Sequence, residues 1–172
     1  SIKISRETLM ELIDCARICP SAMNAQPLKY YMAYTPEDVA KVQPLTIWAR
    51  KLANLNLPRQ GHRPTAFLII CGDKNIRNPS TVGIDVGIAA QTILLAAAEK
   101  GLGGCMIESF DHTGVAQTLN LPENLAPVLV IGLGSPDEVV ILTEAKEDVS
   151  YYRDENDVHY VPKRKLEDIV LP

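Results

Sequence analysis

The sequence lacks the features that define several large classes of protein. Its formal net charge is -4, so it has no excess of cations to neutralise phosphates, and we expect no nucleic-acid partner. No apolar run reaches membrane-spanning length and no signal peptide is visible, so we expect no membrane partner and a cytoplasmic location. No cysteines have Cys-x-x-Cys spacing and the three histidines are scattered, so we predict no metal site.

The sequence also lacks the cysteine pattern of a protein stabilised by disulfides. Its four cysteines lie within or beside apolar runs, which predicts buried thiols in a reducing compartment and no disulfide framework. With 172 residues, 47% hydrophobic and 22% charged, it suits one globular domain spanning 1–172. The chain begins at Ser1 without Met, only a few residues before its first helix, which suggests a longer protein.

Hydrophobic periodicity predicts alternating helices and strands. Ser5 is placed as an N-cap for a helix that ends before Pro20, and Thr35 with Pro36 begins a second helix. Residues 46–63 contain several breakers, and we expect a mobile segment over a site. Residues 135–150 are expected to be exposed, and the aromatic tail 151–171 to dock on the protein. The remaining predicted elements are strands at 29–34, 66–71, 103–107 and 127–132 and helices at 84–100 and 111–119.

The helix predicted at 84–100 is apolar nearly all round, because Ile88 and Leu95 lie opposite its main apolar stripe. Such a helix is buried on both sides. A partner subunit on one side is one explanation, and the core of a monomer is the other.

Two familiar catalytic motifs fail on their context. The glycines of Gly101–Gly104 follow a helix and precede a strand, which is the reverse of a dinucleotide-binding turn. Adjacent Asp111 and His112 cannot orient one another as a hydrolase triad requires, and no Gly-x-Ser-x-Gly turn is present. Cys105 follows the glycines and is expected to point into a core or against a ligand ring.

Two polar stretches are candidate ligand sites. Ser21, Asn24 and Gln26 lie between Pro20 and Pro27, and this set of neutral donors and acceptors suits a flat ligand with a polar edge. The alternative is a helix stop followed by ordinary turn chemistry. The basic run 163–165 suits a phosphate monoester, with a solvated turn as the alternative.

Three blocks of sequence resemble the FMN-dependent nitroreductase family. The first, 16–27, contains the Pro-Ser-x-x-Asn-x-Gln-Pro pattern and is the most specific. The second, 101–110, follows the apolar helix, and the third is the tail 159–164. Their order and spacing make the resemblance strong.

The resemblance implies an α+β fold with a central mixed β-sheet flanked by helices, in an interlocked homodimer with FMN at the subunit interface. One subunit would contact the flavin through the first block and the other would approach its N5 edge through the second, where the backbone N–H of Ser109 is included. Cations of the tail would hold the phosphate. The implied cofactor-binding residues are Pro20, Ser21, Ala22, Asn24, Gln26, Met106, Glu108, Ser109, Lys163 and Arg164.

The chain departs from the family pattern in three places. The Arg-rich N-terminal segment of the family is missing from the sequence, and without it FMN affinity should suffer, so we expect the complete protein to carry it. Leu28 replaces a frequent Trp, which leaves flavin binding intact, and Ser109 replaces a frequent Gly, which tightens the space above N5.

The implied function is an NAD(P)H-dependent oxidoreductase that passes hydride through flavin N5 to a nitroaromatic or quinone-like acceptor, in a ping-pong scheme without a catalytic side chain. Three alternatives stay open. They are a dehalogenase or other flavin chemistry on the same fold, a flavin-binding protein without turnover, and a flavin-free hydrolase. The choice between NADH and NADPH and the identity of the acceptor stay open too.

Overall fold

The computed structural model describes residues 2–55 and 57–171, and the chain divides into two compact units. The first contains Ser1–Trp48 and Pro58–Pro136, and the second contains Ala49–Leu57 and Asp137–Pro172. The prediction about Ser1 lies outside the described residues, as does the part of the 46–63 prediction that falls on Asn56.

All four α-helices of the described residues belong to the first unit, and side-chain caps begin three of them. The hydroxyl of Ser5 accepts a hydrogen bond from the N–H of Thr8 at 3.1 Å, as the predicted N-cap requires. Thr35 and Asp111 cap the second and fourth helices in the same way. The predicted helices are confirmed, with the bounds α1 Arg6–Arg17, α2 Pro36–Val42, α3 Gly83–Glu99 and α4 His112–Thr118.

A four-stranded antiparallel sheet lies at the centre of the first unit. Its order is β1-β2-β4-β3, so β1 and β3 are its two edges. Each strand overlaps one of the predicted strands. The bounds are β1 Leu28–Ala33, β2 Ala66–Asp73, β3 Gly103–Ile107 and β4 Leu125–Gly134.

Successive residues of β2 enter two separate apolar cores. Leu68 and Ile70 pack on the face covered by α1 and α3, while Phe67 and Ile69 pack on the face that carries α2 and α4. Every residue of β2 is buried. Burial on both faces accounts for the unbroken apolar run from which a central strand was predicted.

The second unit contains a smaller sheet of three strands in the order β5-β7-β6. β5 is parallel to β7, and β6 is antiparallel to it. Pairing with β5 is how the tail docks. Strand β5 was not predicted, because its side chains are nearly all exposed and the pattern carries no core periodicity. The bounds are β5 Val140–Glu144, β6 Tyr152–Arg153 and β7 His159–Lys163.

The predicted α+β class is confirmed, but the four-stranded central sheet is antiparallel and not mixed as predicted; mixed pairing occurs in the smaller sheet. A parallel pair needs a crossover connection, and β5 with β7 is the one such pair among the described strands.

Helix α3 has one buried face and one exposed face, both apolar. Val86, Ala90 and Ile93 lie in the core, whereas Ile84 is 80% exposed and Leu95 62% exposed. Both sides of α3 are therefore apolar, as predicted, and the described residues cover only one of them. Within residues 2–55 and 57–171, no helix is sufficiently long and apolar to span a membrane.

The four cysteines do not share one environment. Cys71 is buried, Cys15 and Cys19 are half-buried, and Cys105 is exposed. The prediction of buried thiols is wrong for Cys105, because β3 is an edge strand and leaves its three central residues exposed.

Candidate functional site

The turn between α1 and β1 has an unusual backbone. Met23, Asn24 and Gln26 have φ values of 56°, 52° and 50°, in the left-handed region that non-glycine residues seldom adopt. Asn tolerates this region better than most residues, while Met bears its full steric cost. Strain of this kind is concentrated at functional sites, since packing elsewhere must maintain it.

Internal hydrogen bonds hold this turn in shape. The hydroxyl of Ser21 accepts from the backbone N–H of Gln26 at 3.1 Å, and the side-chain amide of Gln26 donates to the carbonyl of Asn24 at 3.2 Å. The Ser21 hydroxyl keeps its own proton to donate. Within the described residues no hydrogen bond involves the exposed Asn24 side chain. Polar groups of the predicted site are therefore positioned and able to bind a ligand.

A groove of about 370 Å³ runs along this turn between α1, β1 and α3. Pro20, Ser21 and Gln26 of the predicted set line it, while Ala22 and Asn24 do not. Apolar side chains form most of the wall, and charge enters at three places: Arg17, Lys29 and Asp85. The carboxylate of Asp85 is buried and lies 3.5 Å from the guanidinium of Arg77, which compensates its charge.

Tyr30 forms part of the groove wall and stays neutral. Burial, with a smaller contribution from Cys19, raises the pKa of the Tyr30 phenol to about 12. At neutral pH it is therefore a proton donor and not an anion. Sequence reasoning did not identify Tyr30, because the Tyr-rich strand at 29–34 carried no sign of which ring faces the groove.

The second predicted group lies at the end of β3. Met106 and Glu108 are exposed and Ser109 is half-buried. The Ser109 carbonyl accepts a hydrogen bond from the backbone N–H of Ile47 at 2.8 Å, whereas its own N–H donates none within the described residues. That N–H can therefore donate to a ligand, as the resemblance implied.

The segment that fixes Ser109 was not predicted to do so. Thr46 forms an isolated antiparallel bridge with Phe110, and the Trp48 indole N–H donates to the Thr46 hydroxyl at 2.8 Å. These contacts hold residues 46–48, so this part of the expected mobile segment is a structural support. Its short bridge has no hydrophobic period that sequence analysis could detect.

The two predicted groups lie at opposite edges of the four-stranded sheet. The turn that contains Ser21 leads into β1, and Ser109 follows β3. Three inter-strand spacings separate these edges, or roughly 14 Å at the usual spacing of neighbouring strands. One flat ring cannot contact both groups within a single chain.

The basic pair lies in the second unit. Lys163 is the last residue of β7 and Arg164 follows it, and both are exposed. Arg164 lines a cleft of about 230 Å³ with Lys146, Asp148 and Asp168. Hydrogen bonds from Ser150 lower the pKa of Asp148, which is ionised at neutral pH. Arg164 thus shares this cleft with carboxylates that oppose an anion, whereas Lys163 is not among the residues that line it.

Comparison with known proteins identifies the family. Residues 2–135 match the Nitroreductase family, so the chain belongs to that family of oxidoreductases and the predicted resemblance is confirmed. An NADH dehydrogenase/NAD(P)H nitroreductase of Methanothermobacter thermautotrophicus is 26% identical over 140 residues, which cover 79% of this chain and 69% of that protein. This match supports the predicted enzyme class.

Solved structures agree with the fold. CLA-ER, an enone reductase of gut-bacterial fatty acid saturation, superimposes with a TM-score of 0.68 at 22% identity, covering 87% of this chain and 86% of that one. A nitroreductase from Exiguobacterium sibiricum in complex with FMN gives a TM-score of 0.62 at 19% identity, covering 78% and 80%. At these identities the similarity establishes the fold.

Proposed function

We propose that the protein is an FMN-dependent oxidoreductase that works as a homodimer, with 1–172 forming a single flavin-binding domain. The observation that carries this proposal is the strained turn at 21–26, which offers neutral donors beside a groove. Family membership and the nitroreductase relative support it. We also propose a cytoplasmic location, on the sequence argument given above.

The residues present fit the ring of a flavin. Its edge carries alternating hydrogen-bond donors and acceptors, which suit the Ser21 hydroxyl, the Asn24 amide and the Ser109 N–H. Its face is apolar and suits the exposed side chains of Met23 and Met106. Neutral donors beside an apolar surface are the chemistry that an organic ring requires, and the described residues contain no group of three or more His, Cys, Asp and Glu that could hold a metal ion.

The opposite-edge placement supports a site shared by two copies of the chain. Pro20, Ser21, Ala22, Asn24 and Gln26 would come from one copy, and Met106, Glu108 and Ser109 from the other. The exposed apolar face of α3, with Ile84 and Leu95, would lie at the interface that brings them together.

Bound FMN would supply hydride transfer at N5, from NAD(P)H to a nitroaromatic or quinone acceptor in two half-reactions. The chain's own residues would bind and orient the ring. The Ser109 N–H would donate toward the atoms where negative charge develops, and Lys163 and Arg164 would hold the phosphate. None of these roles needs a side-chain nucleophile.

The test is a visible absorption spectrum of the purified protein, supplied with FMN and then freed of unbound flavin, before and after anaerobic addition of NADH or NADPH. Flavin bands near ~450 nm, typical of oxidised flavin as a redox cofactor, should appear and then bleach. A coloured protein that does not bleach would support a binding protein without turnover. A protein that stays colourless would overturn the proposal and favour the hydrolase alternative.

A further inference from the structure

One carboxylate joins three segments of the second unit. Oε1 of Glu138 accepts from the Nη2 of Arg153 at 2.7 Å, and its Oε2 lies 3.2 Å from the Nδ1 of His159. An ionised carboxylate can only accept, so Nδ1 carries the proton and donates. Glu138 thus connects the segment before β5 to both β6 and β7.

Arg153 is the buried centre of this network. Its side chain is 7% exposed, and its Nη1 donates to the carbonyl and to Oδ1 of Asp157 at 3.2 and 3.3 Å. Burying a guanidinium is costly unless carboxylates compensate it, and Glu138 and Asp157 do so here. Removing one of them would leave a buried charge with half its compensation.

The network matters because the second unit has no apolar core among its described residues. Both hydrophobic clusters consist of residues of the first unit, and no residue among 137–171 is in them. The sheet of the second unit is held by its backbone ladders, by this polar network and by the stacked rings of Tyr152 and Tyr160, whose centroids are 5.1 Å apart. Charge-assisted hydrogen bonds are about twice as strong as neutral ones, so Glu138 contributes a large share.

The stabilisation from Glu138 acts on strand β7. Arg153 lies directly opposite His159 in the antiparallel pairing of β6 and β7, so both side chains project from one face of the ribbon. The N–H of His159 also donates to the carbonyl of Val139 at 2.8 Å. The first residue of β7 is therefore held by both its side chain and its backbone, and the last residue of the same strand is Lys163.

We propose that Glu138, Arg153 and His159 are positioning residues for the phosphate end of the flavin, because they fix the strand that presents Lys163 and Arg164. The inference rests on the proposed binding of FMN. It predicts that variants of these residues lose affinity for a flavin that carries a phosphate and keep it for one that does not. A general loss of folding would weaken the binding of both.

The test compares FMN with riboflavin, which has the same ring and side chain without the phosphate. Each is titrated into the flavin-free full chain, wild type and Glu138→Gln, and binding is followed by quenching of flavin fluorescence. Glu138→Gln should weaken FMN binding about tenfold and riboflavin binding less than about twofold. Glu155→Gln, an exposed residue of the same unit, is the matched control and should change neither.

An equal loss for both flavins, or no loss for either, overturns the inference. If circular dichroism shows that Glu138→Gln does not fold, His159→Gln takes its place, since it leaves both carboxylates on Arg153. It should weaken FMN binding about threefold with riboflavin unchanged, and an unchanged FMN affinity overturns the inference. Folded wild-type protein that binds neither flavin overturns the proposed function and the inference with it.

Discussion

The Sγ atom of Cys19 lies 3.2 Å from the Oγ1 of Thr92 and joins the end of α1 to the middle of α3. The Thr92 hydroxyl also donates to the carbonyl of Ile88 at 2.9 Å, and the Cys19 thiol also reaches the carbonyl of Cys15 at 3.5 Å. Cys19 immediately precedes the strained turn that begins at Pro20. The contact therefore ties the turn to the helix whose other face is exposed.

Thr92→Val should lower the free energy of unfolding by about 0.5–1 kcal/mol, because it removes both hydrogen bonds of the hydroxyl at nearly constant volume. Urea denaturation of the flavin-free protein measures the change. Thr92→Ser keeps the hydroxyl and is the matched control. A Thr92→Val variant as stable as the wild type would show that the contact contributes nothing.

Asn24 should be required for FMN retention, through its side chain and through its backbone. Asn24→Ala removes the amide and places Ala at φ 52°, whereas Asn24→Gly removes the amide and relieves the backbone. If the side chain binds the flavin, both variants should lose about tenfold or more in FMN affinity. Equilibrium dialysis measures the FMN affinity. Full flavin occupancy in both purified variants would contradict the assignment of Asn24 to the flavin site.

Gly104 should accept a side chain only if two leucine side chains move. A Cβ there would lie 2.9 Å from Cδ2 of Leu133 and even closer to Cδ2 of Leu94, so Gly104→Ala should cost about 1–3 kcal/mol by overpacking. Thermal unfolding of the variant and the wild type measures the cost. A Gly104→Ala variant as stable as the wild type would mean that both leucine side chains move aside.

The elements with a hydrophobic period were predictable from sequence, and those without one were not. Leu9, Leu12 and Ala16 recur at helical spacing and face the core of α1, and the apolar run of β2 marked a doubly buried strand. Strand β5 and the bridge at Thr46 were not predicted, because neither presents an alternating buried face. Cys105 was misplaced because an edge strand and a central strand can have the same composition.

The candidate site was predictable to the extent that its residues are contiguous. The turn 21–26 was found from its polar residues and family pattern, yet its positive φ values at Met23 and Gln26 were not foreseen, because neither residue favours them. The groove wall at Tyr30 and the buried Asp85 come from separate elements. Only packing brings them beside the turn.

The exposed face of α3 should be the dimer interface. Leu95→Lys places a charge on that face and should shift the protein toward monomer by at least about tenfold in dissociation constant, since burying an unpaired charge is costly. Analytical ultracentrifugation with FMN present measures it. Ile76→Lys changes an exposed isoleucine outside α3, 45% exposed, and should leave the dimer intact. A Leu95→Lys variant that stays dimeric would place the interface elsewhere.

The hydrogen bonds of Asp73 should make the free energy of unfolding decrease as the pH becomes acid. The amide of Asn124 donates to its Oδ1 at 2.9 Å and the N–H of Asn75 at 3.0 Å, and together they lower the pKa of Asp73. A carboxyl whose folded pKa is depressed contributes stability above its unfolded pKa of about 3.9, and that contribution is lost as pH falls through the folded value.

Asp73→Asn keeps an acceptor and removes the charge. The variant should therefore melt below wild type at about pH 7, and the gap in melting temperature should narrow as the pH falls below about 4. Glu155→Gln, at an exposed position, should show no such narrowing. The gap between Asp73→Asn and the wild type can narrow in that range only if the Asp73 carboxylate takes up a proton. A gap that stays constant from neutral pH to the acid limit would therefore mean that packing, and not the charge, accounts for the loss of stability.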